Sequence, residues 1–252
     1  MKAFLLPGEY PGVRHLCTTR DFGNLSIGCP EFGDPLPARR RLARELGLSL
    51  DDLVMTGLVH GNRVVRVHSV HRGRGARDRH VLASADAAWT TDPDVWLLMT
   101  SADCYPILVS GPGCLGLAHA GWRGVLLGVL PALIRDMVRS LPLDPSTLRV
   151  GIGPGIGPRH FQLGHTEVER FVQAGHGSAI LADRHVDLPA ILEGQARREG
   201  VAAVQVSGAC TYRDAGRFFS YRRENGRTGR FGLGARLELE TGSSSRGAVS
   251  EG

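Results

Sequence analysis

Residues 100–124, TSADCYPILVSGPGCLGLAHAGWRG, decide the fold class. Two short apolar runs, 107–109 and 115–118, flank the turn-forming residues 110–113 and predict two strands joined by a tight connection. From Gly121 the period changes. Val125, Leu126, Val129, Leu130, Leu133, Ile134, Met137 and Val138 fall on one helical face. Pro131 lies inside that pattern and should kink the helix or restart it. Strands that pass into a helix predict an α/β chain. The same stretch places Cys104 in Ser-Ala-Asp-Cys-Tyr-Pro and His119 in Ala-His-Ala-Gly-Trp-Arg-Gly. Each sits where an apolar run breaks into a turn, the place at which such proteins expose working side chains.

Outward from this centre, strands and helices both alternate and cluster. Upstream, 16–19 predicts a short strand, and Asp34 introduces a helix through 39–46 that stops at Gly47. Residues 53–59 read as a strand ending at His60-Gly61. Residues 63–70 read as the return strand, with Val65 and Val67 alternating with Arg66 and His68. Strands over 85–90 and 95–100 surround the turn Asp92-Pro93-Asp94. Downstream, 148–152 is an apolar strand, Thr166 with Glu169 forms a capping box, and Asp187 caps a helix through Arg198. Further strands are predicted over 203–206, 218–222 and 230–239. The expected architecture is a single α/β domain over residues 1–240, a mixed β-sheet flanked by helices in an α/β/β/α layering. Residues 241–252, TGSSSRGAVSEG, have the composition of a flexible tail.

Bulk properties narrow the function classes. The 252 residues carry a net charge of +5, supplied almost wholly by arginine, since Lys2 is the sole lysine. The arginines are scattered and aromatics make up 6%, so the basic–aromatic interleaving of a nucleic-acid surface is missing. Five cysteines without a C-x-x-C pair argue for a reducing compartment rather than a disulfide framework. The N-terminal apolar run is short and cut by Pro7, and nothing approaches the roughly 18 apolar residues of a membrane helix. A cytoplasmic protein, monomer or homodimer, with no membrane or nucleic-acid partner is expected.

His60, Cys104 and His119 each end an apolar run beside Gly, Pro or Asp. Two imidazoles and a thiolate leave one coordination position open, the layout of a catalytic rather than a structural zinc. Their spacing matches no short-range finger pattern, and taken singly each residue also has the character of a buried core side chain. A covalent Cys-His pair uses the same residues. Neither G-x-S-x-G, a P-loop nor H-E-x-x-H is present, and without an H-x-H pair a multicopper assembly is not expected. Arg123, at the turn after His119, and Arg20, at the end of a strand, are candidate anion contacts. Asp103 either orients a ligand histidine or caps a turn.

The segments Thr18-Thr19-Arg20, Val59-His60-Gly61, Ala85-Asp86-Ala87, Ala102-Asp103-Cys104-Tyr105-Pro106 and His119-Ala120-Gly121-Trp122-Arg123-Gly124 resemble a bacterial family. So do Ile152-Gly153-Pro154, Cys210-Thr211 and residues 218–223. It is the family once called multicopper polyphenol oxidases or laccase-domain proteins, now regarded as zinc-dependent purine nucleoside enzymes. The resemblance implies a mixed-sheet α/β fold and a metal site on His60, Cys104 and His119, holding Zn2+ in preference to copper. It implies phosphorolysis of adenosine, inosine, guanosine and methylthioadenosine, and deamination of adenosine; for such chemistry Arg20 and Arg123 are the candidates to steer phosphate, and Asp103 is a candidate substrate contact or general acid. Some relatives are linked instead to editing of peptidoglycan precursors, and a non-enzymatic chain with a vestigial metal site is a third reading. The chain departs from the family pattern at Leu58 (usually Gln), at Gly155 (commonly Cys) and over 160–163.

Overall fold

The computed structural model describes residues 3–238, so the tail expected at 241–252 lies outside the described residues. The chain runs β1 (Ala3–Phe4), β2 (Val13–Thr18), α1 (Pro35–Leu46), β3 (Leu53–Val54), β4 (Val64–Val67), β5 (Ala87–Thr90) and β6 (Trp96–Ser101). It continues through β7 (Tyr105–Gly111), β8 (Cys114–Ala120), α2 (Trp122–Leu127), α3 (Val129–Ser140) and β9 (Arg149–Ile152). The last elements are α4 (His165–Gln173), α5 (Leu188–Arg198), β10 (Ala203–Val206) and β11 (Phe231–Leu237).

The strands form two mixed sheets, one in the order β1-β2-β11-β6-β3 and the other β10-β9-β7-β8-β5-β4. β6 shows why they stack. Its residues are apolar on both faces, as expected of a strand covered on both sides. Leu97 and Met99 pack with Leu233 and Ala235 of β11 against Leu108, Leu115 and Leu117 of the second sheet. Trp96 and Leu98 point the other way, onto Leu42 and Leu46 of α1. On the far side of the second sheet, Ile107, Val109 and Ala118 meet Leu130, Leu133 and Ile134 of α3 and Leu192 of α5. The layers are therefore α/β/β/α, with three apolar seams.

Local signals placed the helices well. The Asp34 carboxylate accepts from the Leu36 amide at 3.0 Å, and Gly47 closes α1 at φ 75. Asp187 accepts from the Ala190 amide at the start of α5. The helix after Gly121 does restart, but it breaks at Gly128 (φ 74), which leaves Pro131 in the first turn of α3, where its missing N–H costs nothing.

Three expectations are corrected. Thr166 does not cap α4: the helix begins two residues earlier than such a cap would set it, Gly164 holds the cap position, and no side chain bonds there. Residues 53–59 and 63–70 are not a strand and its return. β3 pairs in parallel with β6 in the first sheet, and β4 pairs in parallel with β5 in the second. The strands expected on either side of the Asp92–Asp94 turn do form, as β5 and β6, and the turn carries the chain from one sheet to the other. Residues 218–222 are irregular chain leading into a turn rather than a strand. Phe218 and Phe219 enter the seam between the sheets, while the Arg223 guanidinium takes the carbonyls of Thr211, Tyr212 and Phe218 in place of a strand ladder.

Candidate metal centre

One ligand atom from each of His60, Cys104 and His119 lies within 4.8 Å of the others. The three arrive from different directions. His119 is the penultimate residue of β8, Cys104 lies where the chain crosses from β6 in one sheet to β7 in the other, and His60 lies in the connection from β3 to β4. The centre thus sits at the mouth between the two sheets. The imidazoles of His60 and His119 meet edge to face, with centroids 5.0 Å apart.

Asp86, fully buried, organises two of the three candidate ligands. Its Oδ1 lies 3.0 Å from His119 Nδ1 and accepts from the His60 amide at 2.9 Å. Its Oδ2 accepts from the amides of Val59 (3.1 Å) and Gly61 (2.8 Å). Burial raises the Asp86 pKa, but the hydrogen bonds from His119 and from these amides outweigh it and hold the carboxyl below its usual range. An ionised carboxylate only accepts, so the Nδ1 of His119 carries the proton and its Nε2 is left for a metal. The same amide grip holds His60 in a left-handed conformation (φ 61), which a non-glycine residue adopts at a cost of about 1 kcal/mol or more. In the sequence Asp86 stands out only as part of the Ala85-Asp86-Ala87 motif. The signal available was a carboxylate at the head of the apolar strand Ala87–Thr90, a place that demands several donors.

Asp103, also left-handed (φ 92), faces another way. Its carboxylate accepts from the Thr211 hydroxyl at 2.6 Å and from the Arg222 amide at 2.7 Å. It ties residues 211–222 to the crossing loop, and Asp86 is the carboxylate that meets the ligand histidine. The Ser101 hydroxyl bonds the Cys104 carbonyl and tightens that loop. Gly121 leaves the room the ligands occupy: a Cβ there would lie 2.8 Å from Cys104 Sγ and 2.9 Å from His60 Cδ2.

Burial alone would raise the Cys104 thiol, but the charge of His119 and hydrogen bonds from His119 and His60 bring it down to about 6. The partner shift agrees. Burial would lower His119, and the Cys104 thiolate together with Asp86 raises it to about 9. Without a metal the pair is a thiolate beside an imidazolium, and the thiolate is the form that ligates.

The centre opens into a cavity of about 790 Å³. Leu58, Asp103, Trp122, Arg123, Ile156 and Phe161 border it near the ligands. Arg123 is exposed, with its guanidinium 4.4 Å from the Trp122 ring. Arg20 does not border the cavity. Its guanidinium is engaged by the Ala215 carbonyl and Glu224 and lies over Phe219. Two of the departures from the family pattern have a physical reading. Leu58 lines the cavity. Gly155 gives its side-chain space to Tyr105, whose ring atoms would lie 2.4–2.5 Å from a Cβ at that position. The His160 ring stacks on Tyr212.

A family model described as "Multi-copper polyphenol oxidoreductase laccase" matches residues 36–238. The chain is 35% identical over 246 residues to a protein of Deinococcus radiodurans named "Purine nucleoside phosphorylase", covering 90% of each. It is 31% identical over 241 residues to "Adenosine deaminase RL5" from an unknown prokaryotic organism, covering 87% of this chain and 92% of that protein. The crystal structure of a hypothetical protein, YfiH, from Bacillus licheniformis superposes with a TM-score of 0.89 at 25% identity, covering 94% and 97% of the two chains. Sequence motifs, layered fold and converging ligands agree with these matches, and the chain belongs to the multi-copper polyphenol oxidoreductase laccase family.

Proposed function

We propose that the protein is a zinc-dependent purine nucleoside phosphorylase acting on adenosine, inosine, guanosine and methylthioadenosine, with adenosine deamination as a second activity. The observation that carries the reading is the convergence of His60, Cys104 and His119 on the wall of one large cavity. Two imidazoles and a low-pKa thiolate suit zinc, and three protein ligands leave a position for an exchangeable fourth. Copper accepts the same atoms. However, the described residues bring together one group of three ligands, whereas a multicopper assembly uses many paired histidines. Zinc held there supplies Lewis acidity toward a water or a substrate oxygen. The names of the Deinococcus relative and of the RL5 deaminase support the two activities.

The rest is done by the chain's own side chains. Trp122, Phe161 and Tyr221 border the cavity, and each has a guanidinium near its ring: Arg123 at 4.4 Å, Arg222 at 5.4 Å and Arg230 at 5.8 Å. Aromatic edges of this kind suit a planar purine, and the guanidinium groups suit phosphate. In phosphorolysis, phosphate held by arginines of the cavity wall attacks the ribose C1′, the bond from C1′ to the purine nitrogen breaks, and the base departs. In deamination, water adds at the purine C6 and ammonia leaves. A second reading keeps the same centre for a nucleotide-linked peptidoglycan precursor, and a cavity of about 790 Å³ has room for a substrate larger than a nucleoside.

Incubation of the metal-loaded protein with each nucleoside, with and without phosphate and with and without a chelator, followed by chromatography, tests the proposal. Phosphate-dependent release of free base that disappears on chelation and in Cys104→Ala is the expected result. Base release unaffected by Cys104→Ala overturns the metal mechanism, and no turnover of any nucleoside overturns the substrate class.

A further inference from the structure

Arg39 lies in the middle of α1 and is 2% exposed. Its Nε donates to the Leu25 carbonyl at 2.9 Å, and its Nη1 donates to the carbonyls of Gly75 (2.7 Å) and Ala76 (2.9 Å). Among the described residues the Nη2 donors have no acceptor and no carboxylate forms an ion pair with Arg39. Burial lowers its pKa to about 10, with the nearest acid, Asp34, pulling the other way, so it remains a cation at neutral pH. A buried charge held by neutral carbonyls alone is costly, and buried charges are ordinarily paired.

Arg39 borders the cavity that holds the metal ligands, and it is not alone there. Arg79 borders the same space with no ion pair among the described residues. Arg230 joins them, its backbone amide held at 3.0 Å by the Asn24 side chain. Asn24 also accepts from the Ser26 amide and donates to the carbonyls of Ser26, Cys29 and Gly33, fixing the loop whose Ser26 faces the same end. Asp78, the carboxylate nearby, is engaged by His80 at 2.9 Å.

We infer that the end of the cavity framed by Arg39, Arg79 and Arg230 is an oxyanion subsite for a phosphate-class group. Guanidinium donors left without a partner among the described residues on Arg39 and Arg79, beside Arg230, whose Nη1 donates to the carbonyls of Thr228 and Gly229, are the donor set that planar, bidentate recognition of phosphate uses. The group is either inorganic phosphate, the second substrate of phosphorolysis, or the phosphoryl group of a nucleotide-type substrate whose reacting end lies at the metal. That choice rests on the nucleoside reading above, whereas the binding itself requires no turnover.

The test is calorimetric titration of the intact protein with inorganic phosphate and, separately, with adenosine 5′-monophosphate. Wild type is compared with Arg39→Met, Arg79→Ala and the control Arg77→Ala, whose guanidinium pairs with Asp51 away from the cavity. A tenfold or greater loss of phosphate affinity in Arg39→Met and Arg79→Ala, with Arg77→Ala unchanged, is expected if free phosphate is the occupant. The same loss seen for the monophosphate alone supports the subsite and assigns it to a nucleotide. Unchanged affinity for both anions in the two cavity variants overturns the inference. Arg79 is exposed and holds no other element, so Arg79→Ala decides the question should Arg39→Met fail to fold.

Discussion

Gly121→Ala is the sharpest probe of the metal centre, because it adds a single methyl group and leaves every ligand in place. Gly121 has φ −77 and ψ 168, a conformation alanine adopts freely, so backbone strain plays no part. The new Cβ would lie 2.8 Å from Cys104 Sγ and 2.9 Å from His60 Cδ2. Those distances are roughly 0.6 Å or more inside an ordinary contact of 3.5–4.0 Å. Both neighbours are proposed ligands, and metal–ligand distances tolerate only about 0.2 Å. Overpacking of this kind costs about 1–3 kcal/mol. Expressed as metal affinity, that is a loss of roughly 5- to 150-fold. Competition against a chromogenic chelator measures it directly. Thermal melting of the metal-free protein shows whether the fold itself is disturbed, and Gly177→Ala, which would meet nothing within 4 Å, serves as a silent control. Gly121→Ala with zinc affinity within twofold of wild type would refute the placement of the metal between Cys104 and His60.

Asp86→Asn replaces an ionised acceptor of four hydrogen bonds by a group that must donate on one side, so unfolding in urea should show a loss of about 3–5 kcal/mol. Metal affinity should fall about 10- to 100-fold, and a variant within 1 kcal/mol and twofold of wild type would remove Asp86 from its organising role. Gly155→Cys, which restores the residue common in relatives, should destabilise by about 1–3 kcal/mol through its clash with the Tyr105 ring, and Tyr105→Leu in the same chain should recover part of that loss. His15 is buried and accepts the Leu6 amide on Nε2. Burial lowers its pKa below 6.5 against the pull of backbone contacts to Leu6 and Val13. The folded state therefore binds fewer protons than the unfolded one, and its contribution is full above about pH 6.5 and is lost as pH falls below it, at up to about 1.4 kcal/mol per pH unit. Melting temperatures from pH 7.5 to 5.5 should fall less steeply in His15→Gln than in wild type, and parallel curves would disprove the effect.

Much of the architecture was legible because it rests on local chemistry. Asp34, Gly47 and Asp187 mark helix ends through bonds to residues within four positions, and the turn at 110–113 joins strands that pair with each other. What escaped was pairing at a distance. Nothing near Leu53 says that its partner is Trp96, and nothing near Val64 says that its partner is Ala87 in the other sheet. The candidate site divides in the same way. His60, Cys104 and His119 stand out as chemically able side chains at the ends of apolar runs. The part played by Asp86 depends on three successive amides that curl around it only after the two sheets have formed. Arg20 is a second anion candidate in the sequence, behind Arg123, and only the fold reveals that Glu224 and the Ala215 carbonyl already engage it.

The position of β11 bears on how the protein is made. This strand, near the end of the described residues, lies in the centre of its sheet, bonded to β2 on one side and β6 on the other. A nascent chain that has not yet delivered Phe231–Leu237 from the ribosome holds two separate strand pairs, β1 with β2 and β3 with β6, each with an open apolar edge. The second sheet is complete by β10 and already contains His119, so it can assemble during synthesis. The first sheet must wait, and Tyr221 and Arg230, which border the cavity, wait with it. Ligand residues are thus translated well before the pocket that would receive a substrate can close, and truncation ahead of Phe231 should yield a chain prone to edge-to-edge aggregation rather than a smaller working enzyme.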